Sequence, residues 1–492
     1  MDYLELLKLA APELIVVLTA LVVLSTDLLT MREQELKVRL LIGGMISGLG
    51  CLVAIGWMMA LPARANVLEG ILVINSLTQF VKAALLLLTA LTVIISVDSD
   101  FTPHVGEYFA LILLATAGMM FLVSSEDILM LFVSLELTSL SLYILTAFDK
   151  RSRRSAEAAL KYFLFGGVSA AFTLFGLSLL YGLAGTTNLG RIAASIQGPK
   201  LDPLLALAIV MTVVGFGFKV AAAPFHLWAP DAYEGAPAPS AALIASGSKL
   251  AGFFVFARVM AVGFHGAEGN GAWHAFVPGW VPVVAVVAGL SMVLGNLAAI
   301  VQNNVRRLLA YSAIAHAGYM LLGVISRGGP GLGALVYYAV TYGLTTLGAF
   351  AVVAVVEKQG GGSNLSDFAG LHRRSPLLSF CMLVFMLSLA GIPPLAGFFG
   401  KFYLFSAALG NSAQPFGLLW LVVLALALSA VSLYYYLQVL KRIYVVEAPG
   451  AAHASPVPLL SQITVTAVAL AVVILGCIPE WLIAKLAGAL TP

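Results

Sequence analysis

The chain reads as an all-α polytopic membrane protein of about fourteen transmembrane helices, with two inverted five-helix repeats, spans four to eight and nine to thirteen, each carrying a broken helix. Three observations carry that expectation. Of 492 residues, 61% are hydrophobic and only 10% are charged, whereas soluble domains carry roughly 25% charged residues. No globular core could hide so much apolar surface, so lipid must be the solvent. Apolar stretches long enough to cross a hydrocarbon core of ~30 Å recur from end to end. Proline and glycine interrupt two of them, five spans apart.

The stretches begin near residues 12, 38, 71, 108, 127, 158, 204, 238, 280, 308, 332, 376, 416 and 459. Their length demands helices, because barrel strands run ~10 residues and alternate in polarity. Orientation follows from the basic residues between them. Loops after odd-numbered spans hold fourteen Lys and Arg: Arg32, Lys37, Arg39, Lys150, Arg151, Arg153, Arg154, Arg306, Arg307, Lys358, Arg373, Arg374, Lys441 and Arg442. Loops after even-numbered spans hold four, Arg64, Arg191, Lys200 and Arg327. The positive-inside rule places the odd loops in the cytoplasm and both termini outside.

No loop is long enough to fold as a soluble domain, and Gln359 to Ser375 reads as a surface loop. The expected organisation is one membrane domain, 1–492, with three N-terminal helices (1–100), a first repeat (101–265), a second inverted repeat (275–447) and a C-terminal helix (455–492). A net charge of +3 is too small to suggest a nucleic-acid partner. Cys51, Cys381 and Cys477 lie far apart inside apolar runs, fit neither a disulfide framework nor a metal knuckle, and read as packing residues. The opening Met-Asp-Tyr-Leu-Glu lacks the basic n-region of a cleaved signal peptide.

Ionisable side chains in mid-membrane cost at least a few kcal/mol each, so each asks for a partner and a purpose. Glu136 falls near the centre of the fifth span, Lys219 deep in the seventh, Lys249 near the middle of the eighth and Lys401 in the second half of the twelfth. His226 and His316 complete the set. Any one of these lysines is open to a structural reading as an ion-pair partner, but structural pairing alone would supply more carboxylates than Glu136. Burial disfavours the charged form of a lysine, which suits such a group to take and release protons near neutral pH. Lys82 and Arg258 lie near span ends and can snorkel, Glu13 and Asp27 mark the two ends of the first span, and Tyr434, Tyr435 and Tyr436 read as interfacial or packing residues. Lys161, just inside the cytoplasmic end of the sixth span, is open to both snorkel and relay readings.

Two spans break beside their lysines. Lys219 is followed by Ala-Ala-Ala-Pro224, and Gly391-Ile-Pro393-Pro394-Leu-Ala-Gly397 precedes Lys401. Proline removes a donor and clashes with the preceding turn, so in hydrocarbon the freed carbonyls need protein or water partners around a cavity. Paired breaks at corresponding positions point to inverted repeats. No G-x-G-x-x-G follows a strand, there is no Cys-x-x-Cys, and no histidine pair suits haem, so the chain is expected to move charge without carrying electrons.

The run Lys219-Val-Ala-Ala-Ala-Pro-Phe-His-Leu-Trp-Ala-Pro-Asp-Ala-Tyr-Glu-Gly-Ala-Pro-Ala-Pro239, together with Gly-Ile-Pro-Pro-Leu-Ala-Gly-Phe-x-x-Lys401, resembles the antiporter-like subunits of respiratory complex I (the proton-translocating NADH:quinone oxidoreductase, NDH-1). The Pro-Asp-x-Tyr-Glu-Gly-Ala-Pro wording is similar to the subunit N branch of that family, the bacterial counterpart of mitochondrial subunit 2. The L and M branches tend to read Pro-x-Ala-His there, and lysine at 401 disfavours M. The resemblance runs from the fourth span to the thirteenth.

It implies a proton-translocating translocase subunit of a bacterial inner membrane, with both termini periplasmic. Glu136 and Lys219 would form the ion pair of a first half-channel, Lys249 the central relay, His316 the continuation of a hydrated axis, and Lys401 the terminal site of a second half-channel. Lys161 matches a family lysine in Ala-Leu-Lys-Tyr-Phe, and His226 matches the family Pro-Phe-His, where a packing or hinge role also stands. Implied partners are the L and M antiporter-like subunits, the small helical subunits A, J and K and, indirectly, the hydrophilic arm, where NADH, FMN and iron–sulfur clusters belong and from which quinone reduction would drive the pump. No cofactor or metal is expected in this chain itself. The rival reading is a subunit of a multi-subunit Na⁺/H⁺ antiporter, which shares fold and lysines; a passive assembly subunit is a third.

Overall fold

A backbone in hydrocarbon must satisfy its own polar groups, and this chain does so almost wholly with helices. The structure is a computed structural model and describes residues 3–62, 64–196, 201–326, 328–410, 416–447 and 457–490. Lys200 and Arg327, two of the four basic residues on the sparse side, lie outside the described residues, as do 455 and 456 at the start of the expected last unit and 491 and 492 at its end.

The helices are α1 (Tyr3–Leu9), α2 (Ala11–Leu29), α3 (Leu36–Met59), α4 (Ser76–Val97), α5 (Val105–Ser124), α6 (Ile128–Thr146), α7 (Arg153–Ala184), α8 (Leu189–Ser195), α9 (Pro203–Lys219), α10 (Trp228–Gly235), α11 (Ala238–Ala245) and α12 (Gly247–Arg258). There follow α13 (Trp280–Ile300), α14 (Val305–Ile325), α15 (Gly328–Lys358), α16 (Leu371–Arg374), α17 (Pro376–Ala390), α18 (Ala396–Gly410), α19 (Leu419–Tyr444), α20 (Leu459–Cys477) and α21 (Pro479–Leu490). Among the described residues, twelve helical stretches are long and apolar enough to cross a membrane, α11 and α12 counting as one. Two shorter apolar helices, α9 and α17, stand where the sequence places its breaks.

Three details depart from the expectation. The stretch beginning near residue 71 opens with a small antiparallel hairpin, β1 (Ala65–Val67) against β2 (Leu72–Ile74), and α4 starts only at Ser76. Asn75 fixes that start with a reciprocal capping box to Thr78. The expected surface loop Gln359 to Ser375 contains a 3-10 turn, Leu365–Phe368, and α16. The eighth span is also interrupted, at Ser246 between α11 and α12.

Burial sorts the helices. α11, α12, α14 and α15 are buried nearly throughout and form the centre, whereas α2, α7 and α19 bury one face only. The outer face of α7 exposes Leu160, Phe163, Leu164, Val168, Phe172 and Phe175, a patch that only lipid or another membrane subunit can cover.

Corresponding contacts recur in the two halves. Ile128 N donates to Thr187 O and Leu189 N to Glu126 O, at 2.9 and 2.8 Å; Val305 N donates to Ser363 O and Leu365 N to Asn303 O, at 2.7 and 2.8 Å. Asp127 caps α6 through Leu129 N and Met130 N, and Asn304 caps α14 through Arg306 N and Arg307 N. Gly118 lets α5 close on Ser134 and Thr138, and Gly295 lets α13 close on Tyr311 and Ala315. The residue numbers of the second set follow those of the first at a constant displacement to within one residue. The second bridge lines the same cavity as Asp98, Asp149, Arg154, Glu234 and Lys358 on the basic-loop face. The first lies on the opposite face, with Asn188 donating to Glu69 O and Glu69 paired to Arg191.

Candidate functional site

Helix α9 ends at Lys219, and the chain runs unwound to α10 through left-handed Ala221 (φ 54°) and a cis Ala223–Pro224 bond. The released backbone groups are met from other helices: Ser291 Oγ of α13 accepts from Ala223 N at 2.8 Å, and Trp228 Nε1 returns to Phe218 O at 3.0 Å. The Trp228 indole stacks on Tyr162 of α7 with centroids 4.1 Å apart, which pins the second half of the break.

Lys219, buried, donates to Ser139 Oγ at 3.1 Å. Glu136 sits one turn earlier on the same helix as Ser139 and is half-buried. The direct Glu136–Lys219 ion pair expected from the resemblance is not made. Both residues instead line a cavity of about 20 Å³ with Ser139, Tyr143 and Thr173, room for roughly one water. The serine hydroxyl accepts from the ammonium on the side of α6.

Lys249, on α12 just past the Ser246 interruption, is buried and faces no carboxylate. Its Nζ donates to Val220 O at 2.5 Å and to Ala313 O of α14 at 3.4 Å. Lys401, on α18, donates to Leu389 O and Ala390 O at 3.0 Å each and to Ser429 Oγ at 2.8 Å. It also lies 5.2 Å from the ring centroid of Tyr319. Leu389 and Ala390 are the last residues of α17, whose continuation is broken by Gly391 and a cis Pro393–Pro394 bond. Both lysines therefore sit on carbonyls set free at the C-terminal end of a broken helix, where the backbone dipoles favour a cation.

His316 of α14 is buried between phenols, Nδ1 at 2.6 Å from Tyr338 OH and Nε2 at 2.9 Å from Tyr436 OH. Tyr435 OH donates to Asn296 Oδ1 at 3.0 Å. The packing reading of the tyrosine run therefore holds only for lipid-exposed Tyr434, while Tyr435 and Tyr436 belong to the buried polar network. Lys161 lies at the basic-loop face, paired with Glu157 at 2.6 Å and Asp231 at 2.8 Å, and Asp231 also holds Arg307 at 2.6 Å. His226 is half-buried in the unwound segment, with Nδ1 lacking a hydrogen-bond partner.

Two residues expected to snorkel do not. Lys82 is 2% exposed and forms an ion pair of 2.5 Å with Glu13, itself 0% exposed. Arg258 is buried against Glu126 and Val123 O. The one signal available in the sequence was a pair of opposite charges at similar depth in the first and third spans. Among the described residues, no three His, Cys, Asp or Glu side chains converge as metal ligands.

The chain is similar in sequence and fold to several known proteins. The family described as "NADH:quinone oxidoreductase/Mrp antiporter, TM" matches residues 125–430. A protein of Acidobacterium capsulatum named NADH-quinone oxidoreductase subunit N 2 is 53% identical over 492 aligned residues, covering 98% of each chain. A chain of respiratory complex I from Thermus thermophilus superposes with a TM-score of 0.79 at 33% identity, over 96% of this chain and 99% of that one. A chain of the Mrp complex from Dietzia sp. DQ12-45-1b shares the fold, with a TM-score of 0.80 at 22% identity over 98% and 96% of the two chains.

Proposed function

The chain belongs to the NADH:quinone oxidoreductase/Mrp antiporter family, and on that premise we propose that it is the subunit N-type proton-translocating subunit of a membrane-bound NADH:quinone oxidoreductase. The observation that carries the reading is the buried series Lys219, Lys249 and Lys401, each with its ammonium on hydroxyls or broken-helix carbonyls. Lys219, with Glu136 lining the same small cavity, works the first half-channel. Lys249 is the central site, His316 continues the axis, and Lys401 is the terminal site. Lys161 with Asp231 forms the mouth on the basic-loop face, and His226 is a hinge residue beside Pro224. Pro224, Pro393 and Pro394 keep the two breaks open.

Counting α9 with α10 and α17 with α18 as single crossings gives fourteen spans. The recurrent bridges, caps and glycine contacts support two repeats, 101–265 and 275–447, and the five crossings separating them support inversion. The basic face is cytoplasmic by the positive-inside rule, which leaves both termini periplasmic in a bacterial inner membrane. The proton work is coupled to quinone reduction by NADH in a hydrophilic arm, and the direct neighbours are the other antiporter-like subunits and the small helical ones. The Na⁺/H⁺ antiporter reading rests on the shared fold and the broad family description, with 22% identity to the Mrp chain against 53% to a subunit N relative.

The test is purification from native membranes in mild detergent. Co-migration of the chain with an inhibitor-sensitive NADH:quinone activity is expected. Migration with other antiporter subunits, sodium-stimulated exchange and no redox activity would transfer the assignment to the cation/proton antiporter.

A further inference from the structure

Basic residues at the start of a helix and acidic residues at its end stand against the helix dipole, and each asks for compensation. Arg306 and Arg307 occupy the first turn of α14, and Glu234 is the last residue but one of α10. The two misplacements meet. Arg307 Nη1 lies 2.6 Å from Asp231 Oδ1 and 3.0 Å from Glu234 Oε2. Arg306 Nη2 donates to Ala236 O, the carbonyl at the C-cap of α10, and its Nη1 lies 3.3 Å from Glu357 of α15. The second oxygen of each α10 carboxylate goes to α7, in the first half of the chain. Asp231 Oδ2 lies 2.8 Å from Lys161 Nζ, and Glu234 Oε1 lies 3.6 Å from Arg154 Nη1. The half-helix beyond the first break is thus held from both halves, oxygen by oxygen.

The positive-inside rule accounts for arginine in this loop but not for its burial. Arg306 is only 7% exposed, whereas a charge that merely orients the chain stands in water. The arrangement is also one-sided. Asp127 and Asn304 are equivalent caps, so Leu129 and Met130 stand in the first half where Arg306 and Arg307 stand in the second. Neither can pair with a carboxylate.

We propose that Arg307 is a positioning residue that ties α10 to α14, so that the mouth at Lys161 and Asp231 follows the helix that also contacts Lys249; the proposal rests on the proton-translocation reading above. Helix α14 supplies both contacts. Its first turn grips α10, and its Ala313 carbonyl accepts from Lys249. Lys161, Asp231, Glu234 and Arg307 line one cavity of about 240 Å³, so the tie and the mouth are a single structure. Asp231 is shared between them. A shift of α14 away from α10 leaves that carboxylate to Lys161 alone, and a shift toward α10 draws it off. Arg306 adds a second, buried hold on the same helix end through the Ala236 carbonyl.

The experiment uses the complex purified from native membranes. Proton translocation per NADH oxidised is measured in liposomes, and hydrogen–deuterium exchange of Trp228–Gly235 in detergent. Arg307→Met should lower translocation per NADH by at least about fivefold, the low end for coupling between two sites, and speed exchange across α10. Arg307→Lys keeps the charge on a shorter side chain without the planar guanidinium, and should fall between Met and wild type in both quantities. A group that only lined the mouth would change translocation and leave α10 exchange alone. Wild-type translocation or wild-type α10 exchange in the assembled Met variant therefore overturns the tie. If that variant does not assemble, Arg307→Lys decides, and a wild-type value of either quantity overturns it. Lys219→Ala separates the two levels: loss there with wild-type behaviour in Arg307→Met rejects the tie alone, and full translocation there rejects the underlying reading.

Discussion

A lysine ammonium has three N–H donors; Lys401 places them on two carbonyls and a hydroxyl, and Lys249 places two on carbonyls. Lys82 is the contrast, locked to Glu13 at 2.5 Å with neither side chain reaching the surface. A carboxylate partner holds an ammonium in its charged form far more firmly than neutral carbonyls do. Position 82 is therefore a buried ion pair, whereas 249 and 401, which lack a carboxylate partner, are the sites of the proposed proton transfer. Removing one member of a buried pair strands the other charge. Lys82→Met should thus lower stability by about 3–5 kcal/mol, and adding Glu13→Leu should recover most of it; thermal unfolding in detergent reads both. A double variant no better than the single would show that the pair is not the lock. At this scale the sequence located the deep lysines, because a charge inside an apolar run is visible in one dimension. It did not reveal their partners, since backbone carbonyls carry no sequence signature and the Glu13–Lys82 contact joins different spans.

The helix breaks convert proline and glycine into chemistry. Each leaves carbonyls that a lysine takes up, and the first also leaves the Ala223 N–H, which Ser291 of α13 accepts at 2.8 Å. Ser291→Ala would leave that buried donor unpaired, at a cost of about 1–3 kcal/mol. The expected outcome is earlier thermal unfolding together with reduced proton translocation, and an unchanged melting curve would mean that the unwound segment holds itself. The glycine contacts make a matched prediction. A Cβ at Gly118 meets the backbone of Ser134 and Thr138, and a Cβ at Gly295 meets that of Tyr311 and Ala315. Ala at either position should destabilise by about 1–3 kcal/mol through overpacking, with similar melting shifts in the two variants. Span positions and both breaks were legible because proline and apolar length act locally. The β1–β2 hairpin and the Ser246 interruption were not. The hairpin sits in text nearly as apolar as the helix that follows, and Ser246 carries no proline to announce the break.

Across the whole molecule, the buried lysines Lys219, Lys249 and Lys401 are spread over three different helices, α9, α12 and α18. Lys249 spans the junction, with one hydrogen bond to the first break and one to α14. In the proposed function a change of charge at one site would be felt at the next, because polar interactions are strong in a low-dielectric interior. The family resemblance was readable in the run from Lys219 to Pro239, where several unusual residues are fixed in order. The tyrosine cage of His316 was not, because it is assembled from α14, α15 and α19. The most direct test of the account is proton translocation per NADH oxidised by the assembled complex carrying Lys249→Ala, reconstituted in liposomes beside the wild type. The account predicts an assembled complex with translocation largely lost. Wild-type translocation in that variant would contradict it and leave the buried lysines with a role in assembly alone.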